Sequence, residues 1–229
     1  MKAFLDNLIS VLKSPPDYFI SSLVIMGMIV IFSLIVGFKI KRMNPKDKPG
    51  KFMSLIIGLI DGFNKFVKST MGKHWRMIAP IILSFSLYIL ISNISGVTGL
   101  QSTPTKYSAI TFSLSIIAVF VIQMTGFVSK GLGHFKSVFE PTPFIAPLNI
   151  IGEITPIISL ALRLFGNIAS GALIISLIYN LTGWFSIIVA PIFHLIFDIA
   201  FGIIQTVVFV LLTLILSSTK IDEEDLDYV

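Results

Sequence analysis

Long apolar stretches without charged side chains dominate this sequence. The first, residues 19–38, holds twenty residues and no charge. As a helix rising ~1.5 Å per residue, it covers the ~30 Å hydrocarbon core of a bilayer. Charged residues make up 13% of the chain and hydrophobic residues 55%, so there are too few charges to cover a water-exposed surface. The sequence therefore predicts an integral membrane protein and excludes a soluble enzyme, a nucleic-acid binder and a disordered tail.

The remaining composition narrows the chemistry. Basic loops beside membrane helices explain the net charge of +5, so no nucleic-acid partner is needed. The chain has no Cys, which excludes disulfides, thiolate metal sites and cysteine nucleophiles. It also lacks a Gly-rich phosphate loop and a metal-binding spacing. We therefore expect no catalytic site, no metal site and no cofactor in this chain.

The apolar stretches and the charged segments between them predict a single all-α membrane domain over residues 1–229. We expect about five membrane-embedded helices plus one interfacial amphipathic helix, with the last two embedded helices forming a long, strongly tilted hairpin. The predicted elements are a span at 19–38, a basic cytoplasmic loop at 39–51, an interfacial helix at 52–72, spans at 77–95 and 107–128, hairpin arms at 144–179 and 184–217, and an acidic tail at 219–229.

The basic loop sets the predicted orientation. Residues 39–51 contain six basic residues and one acid, and such loops stay in the cytoplasm. A multi-pass chain with its N-terminus outside and its C-terminus in the cytoplasm follows. The chain has fourteen Lys against three Arg, a ratio typical of an AT-rich genome. This ratio favours a bacterial plasma membrane, with an organelle inner membrane as the less favoured alternative.

Two segments do not fit an upright span. Residues 52–72 carry apolar side chains at helical spacing with Asp61, Lys65 and Lys68 between them. This pattern is typical of a helix lying in the membrane interface, and an ordinary amphipathic connector is the alternative. Residues 184–217 would form a helix of ~51 Å, which a ~30 Å core holds only when the helix is tilted or kinked at Pro191.

Arg163 lies well inside an apolar helix. A central arginine costs ~2.5–3.5 kcal/mol on insertion scales, and its charge is permanent. Ser159, Asn167 and Ser170 fall within about 80° of Arg163 on an ideal helix, so one face is polar and cationic. Either this face serves transport, or Arg163 pairs with an acidic residue and staples helices. The acids available for such a staple are Glu153 and Asp198.

The second hairpin arm has a polar line of its own. His194, Asp198 and Gln205 lie within about 40° of one another on an ideal helix. Their spacing indicates either an intramembrane proton relay or a hydrogen-bond network between helices. Glu153, between two prolines, is expected either to line an aqueous vestibule on the cytoplasmic side or to start a helix near the interface.

Residues 159–167, SLALRLFGN, resemble the signature of subunit a of F-type ATP synthases, centred on the essential arginine of that family. Residues 80–96, which end in Asn93-Ile-Ser-Gly96, and Gln205 in the last apolar arm also resemble the family. The resemblance covers roughly residues 19–218. It implies a stator subunit that forms two offset proton half-channels against a ring of c subunits and so couples proton translocation to rotation and to ATP synthesis or hydrolysis.

The family resemblance also implies partners and roles. The expected partners are the c-ring, b-type peripheral stalk subunits, the other F-type ATP synthase subunits and the lipid bilayer. Arg163 would face the c-ring carboxylate, and the transported ion would be H⁺, with Na⁺ as the alternative. The proton path would use Asn167, Asp198, Gln205, His194, Glu153, Ser159 and Ser170.

Two positions depart from the family pattern. Ala172 stands where the family usually has Glu or His, and Asp198 stands where many bacterial members have His. We therefore expect the outer half-channel to depend on Asp198 together with His194. The competing interpretations are a secondary transporter or ion channel with a charged intramembrane site, and a purely structural membrane subunit.

Overall fold

The computed structural model describes residues 15–43, 49–98, 103–134 and 143–226. Residues 1–14, residues 44–48 of the predicted basic loop and the last three residues of the acidic tail lie outside this part. The first half of the described chain forms four long helices. They are α1 (Asp17–Lys41), α2 (Lys51–Met71), α3 (Trp75–Ile94) and α4 (Ser108–Lys130).

The second half forms a helical hairpin followed by a short terminal helix. Its first arm is α5 (Ala146–Thr182), whose 37 residues span about 55 Å. Its second arm comprises α6 (Ser186–His194), a π-helical turn (Leu195–Ala200) and α7 (Phe201–Ser218). The short helix α8 (Glu223–Leu226) follows.

Apolar length confirms the predicted class. Four helical stretches of the described chain are long and apolar enough to cross a membrane: Asp17–Lys41, Lys51–Ile94, Ser108–Lys130 and Ala146–Ser218. The last contains both hairpin arms. The prediction of an all-α integral membrane protein is thereby confirmed.

The hairpin reverses slightly later than the sequence predicts. Asn180 and Thr182 are frequent turn residues, yet both lie in the last turn of α5. The reversal occurs at Gly183, whose φ of +49° is easily adopted only by glycine. A 3₁₀ turn, Gly183–Phe185, then leads into α6.

Two apolar clusters hold the bundle together. In the first, Val67 of α2, Ile78 and Ile82 of α3, and Leu214 of α7 are almost fully buried. The second joins α1, α3, α4, α5 and α7 through Ile25, Tyr88, Ile89, Leu114, Ala118, Leu160, Leu164 and Phe209. Leu160 and Leu164 lie on the inner face of α5, so they fix which side of that helix points outward.

Candidate functional site

Arg163 lies on the outward face of α5. Its inner neighbours Leu160 and Leu164 are buried at 2% and 0% exposure, whereas Ser159, Asn167 and Ser170 are exposed and Arg163 itself is half-buried. The helix is regular here, so the four polar side chains share one face, as their spacing predicts. Because this face points away from the bundle, the guanidinium is available to a group outside the chain.

The helix surface beside Arg163 is open at Gly166. Gly166, one turn further along the same face, has no heavy atom within 4 Å of the position that a Cβ would take. Small residues on a membrane helix permit another helix to approach closely. The outward face of α5 therefore combines a fixed cation with room for a neighbouring helix.

Neither acid proposed as a staple for Arg163 contacts it. Glu153 pairs with Lys220, and Asp198 pairs with His194. Across the described ranges, no side chain forms a hydrogen bond or ion pair with Arg163. The staple interpretation is therefore wrong for these two partners in this chain.

His194 and Asp198 form a tight pair in the second hairpin arm. The His194 Nδ1 atom lies 2.6 Å from Asp198 Oδ2, and the Tyr179 hydroxyl of α5 lies 3.4 Å from His194 Nε2. Asp198 belongs to the π-helical turn, a widened turn that is frequent at functional sites. Three groups that can exchange protons therefore follow one another at this end of the hairpin.

Gln205 does not continue that line. The extra residue of the π-helical turn rotates everything after it by roughly 100° relative to an unbroken α-helix. Gln205 consequently points inward, 2% exposed, and its Oε1 accepts a 2.5 Å hydrogen bond from Asn167 Nδ2. The predicted line of His194, Asp198 and Gln205 is therefore divided between two hydrogen-bonded pairs, His194–Asp198 and Gln205–Asn167.

A small cavity lies between Asp198 and Asn167. Asn93, Lys106, Asn167 and Asp198 contribute to its lining. Asn93 is held in place, since it donates to the Gly202 carbonyl at 3.2 Å and accepts from the Thr105 hydroxyl at 2.9 Å. Asp198 and Asn167 therefore border the same cavity, and Asn167 also lies on the α5 face that carries Arg163.

A second polar cluster lies at the other end of the bundle. The Glu153 carboxylate accepts hydrogen bonds from Lys220 Nζ on one oxygen and from Gln123 Nε2, at 2.5 Å, on the other. His134 Nε2 lies 2.7 Å from Gln123 Oε1. Glu153, Gln123 and Lys220 line a cavity of about 90 Å³.

Sequence reasoning missed several of these residues. Gln123 is a single amide inside an apolar stretch, which was the one available signal. Lys220 has the pattern of an ordinary charge flanking a membrane helix, and Tyr179 that of an interfacial aromatic residue. Their roles depend on contacts between distant helices that no local spacing encodes.

The chain is similar in sequence to proteins of one family. Residues 20–217 match the family model described as ATP synthase A chain. ATP synthase subunit a of Mycoplasmoides gallisepticum is 31% identical over 227 residues, which cover 87% of this chain and 76% of that protein. ATP synthase subunit a 2 of a Bradyrhizobium strain is 32% identical over 165 residues, or 72% of each chain. The resemblance predicted from residues 159–167 is confirmed, and the chain belongs to the ATP synthase A chain family.

Proposed function

We propose that this chain is the stator subunit a of a rotary F-type ATP synthase. It forms two offset proton half-channels against a ring of c subunits and couples proton flow to rotation. The observation that carries the proposal is the Arg163 guanidinium, which has no hydrogen-bond or ion-pair partner among the described residues. It lies on an open, outward helix face, with a polar cluster toward each end of the bundle.

The chemistry of a fixed cation fits this role. An opposite charge within ~4–6 Å favours the ionised form of a carboxylate. A rotor carboxylate that reaches Arg163 therefore releases its proton, and Arg163 itself keeps its own proton at any physiological pH. The same side chain lets the rotor turn and prevents protons from leaking directly between the two half-channels.

The two clusters supply separate proton routes. His194 and Asp198 serve the outer half-channel, with Asn167 and Gln205 joining it to the Arg163 face. Glu153 and its cavity serve the inner half-channel. Glu153 precedes Arg163 by ten residues, or about 15 Å of helix, whereas Asn167 follows it by about 6 Å. Arg163 thus separates the two routes along α5.

The remaining partners follow from the same role. The chain contacts the c-ring through the outward face of α5 and b-type peripheral stalk subunits elsewhere, and ATP chemistry belongs to a separate catalytic sector. It uses no cofactor, and the transported ion is H⁺. Its N-terminus lies outside a bacterial plasma membrane and its C-terminus in the cytoplasm. Nothing in the described residues or in the relatives favours a secondary transporter or an ion channel.

Replacing Arg163 by Ala tests the proposal. In inverted membrane vesicles that contain the whole ATP synthase, Arg163→Ala should abolish ATP-driven proton pumping while the complex still assembles. Arg76→Ala is the matched control, since Arg76 stacks on Trp75 at the start of α3, away from the outward face of α5. Pumping that survives in the Arg163→Ala vesicles would refute the proton-path role.

A further inference from the structure

The cluster around Glu153 is more than a single acidic residue in a cavity. Three separate parts of the chain converge there: α4 supplies Gln123, α5 supplies Glu153, and the turn after α7 supplies Lys220. Both carboxylate oxygens are engaged, one by an ammonium and one by an amide. The carboxylate is therefore held in one orientation as an anion.

Gln123 is fixed in turn by His134. Since the Gln123 amide nitrogen donates to Glu153, its oxygen faces His134, and His134 Nε2 must carry a proton to donate to that oxygen. The imidazole is 4% exposed and lies against Gly126 of α4. A Cβ at Gly126 would come within 2.6 Å of His134 Cε1, so only glycine leaves room for the ring.

The Glu153–Lys220 pair is only partly buried. The side chains of Glu153 and Lys220 are 27% and 24% exposed, and both line the cavity of about 90 Å³. That volume holds roughly three waters at ~30 Å³ each. A pair that only stapled α5 to the end of α7 would need no such cavity, because a dry, fully packed contact would serve equally well.

We infer that Lys220 is a positioning residue for proton transfer, which keeps Glu153 ionised at the inner end of the proton path. This inference rests on the proposed function of the chain. A proton that arrives from the cytoplasmic water binds the Glu153 carboxylate and displaces the Lys220 ammonium. When the proton passes on through cavity water toward the rotor, the ammonium pairs with the carboxylate again, and Lys220 never loses its own proton.

The other titratable groups near this carboxylate are few. Within the described chain, Lys220 and His134 face Glu153, and Lys130 stands behind His134. Burial, followed by the nearby ammonium of Lys220, lowers the pKa of His134. The imidazole is therefore neutral at pH 7, which leaves Lys220 as the cation that faces Glu153.

A cysteine variant can separate charge from structure, because the chain contains no Cys. In vesicles containing the complete complex, Lys220→Cys is treated either with 2-bromoethylamine, which restores an ammonium, or with iodoacetamide, which adds a neutral group. The cytoplasmic face of inverted vesicles contacts the medium, so the medium sets the pH of the inner cavity. ATP-driven pumping is then measured against that pH.

Without the ammonium, the carboxylate holds its proton to higher pH. The pH of half-maximal pumping on the acid side of the profile should rise by about 1–3 pH units after iodoacetamide treatment. It should return to the wild-type value after treatment with 2-bromoethylamine. Lys73→Cys is the matched control, since Lys73 lies near Asp225, outside the cavity, and neither reagent should move its midpoint. An unchanged midpoint in the neutral Lys220→Cys form would overturn the inference.

Failure of the Lys220→Cys complex to assemble and failure of the wild-type vesicles to pump have different meanings. If the Lys220→Cys complex does not assemble, the double variant Glu153→Lys with Lys220→Glu, which reverses the ion pair, is measured instead. An assembled complex with an altered pH profile of pumping supports the inference. A wild-type profile, or a reversed pair that does not assemble, makes the pair purely structural and overturns it. Wild-type vesicles that do not pump would instead refute the proposed function.

Discussion

Gly166 offers a test of the outward face of α5 that leaves the charge of Arg163 untouched. The residue lies on the same face as Arg163, one turn away, and the space beside it is empty to 4 Å. We therefore consider Gly166→Leu, which places an apolar side chain of four carbons into that space. The Cβ of the new side chain would meet no heavy atom of the described chain within 4 Å.

The expected free-energy change caused by Gly166→Leu differs in sign between the isolated chain and a chain packed against a rotor helix. Leucine is a better helix former than glycine by roughly 0.8–1 kcal/mol, so the isolated chain should become no less stable. A rotor helix packed closely against Gly166 would instead meet an overpacked contact, which costs typically 1–3 kcal/mol. Since ~1.4 kcal/mol is a factor of ten in an equilibrium constant, the rotor contact should weaken about five- to hundred-fold.

Two measurements read these effects separately. Thermal unfolding of the purified chain in detergent reports its own stability, and ATP-driven pumping in vesicles reports the rotor contact. Gly37→Leu is the matched control, since Gly37 is also exposed with nothing within 4 Å but lies on α1. We expect normal stability for both variants and lost pumping for Gly166→Leu alone. If Gly166→Leu pumps as well as Gly37→Leu, the face of α5 around Arg163 meets only lipid, and the reasoning fails.

Two further predictions concern titratable groups on either side of this face. Asp198→Asn keeps an oxygen acceptor for His194 but loses the exchangeable proton, so pumping should slow while assembly is retained. Asp61→Asn, which alters an exposed ion pair, is the control. If the Asp198→Asn complex pumps as fast as the Asp61→Asn complex, Asp198 is not on the proton path. Burial lowers the pKa of His134 below its usual 6.5. Below about pH 6.5 the unfolded chain therefore binds more protons than the folded chain, and the stability of the fold should decrease as the pH falls. Thermal unfolding from pH 7.5 to 5 should show this loss, and His134→Gln should reduce it.

The sequence predicts α5 around Arg163 well, because an unbroken α-helix there obeys simple angular spacing. Ser159, Arg163, Asn167 and Ser170 can be placed on one face from residue numbers alone, and the buried Leu160 and Leu164 determine which way that face points. The cost of an arginine in lipid then predicts a function for this face. Local periodicity and a single expensive residue are sufficient here.

The same reasoning fails at Gln205, since a π-helical turn is invisible to hydrophobic periodicity. The sequence identifies both Asp198 and Gln205 as polar residues in an apolar arm. The direction in which the Gln205 side chain points relative to Asp198 depends on the extra residue in the π-helical turn. The Glu153 cluster was equally out of reach, because Gln123 and Lys220 lie 30 and 67 residues from Glu153 along the chain. Packing of α4, α5 and the end of α7 brings them together.

The pairing of the acids also explains why Arg163 has no ion-pair partner among the described residues. Lipid-embedded charges are stable only when they are paired or hydrated, and Arg163 has two acids in neighbouring segments. Each of those acids is already satisfied, Glu153 by Lys220 and Asp198 by His194. Since these two acids are satisfied without Arg163, and no other residue in the described part of the chain pairs with it, the proposed function supplies the counter-charge from another molecule. A partner whose carboxylate binds and leaves Arg163 in turn satisfies this requirement without neutralising the guanidinium permanently.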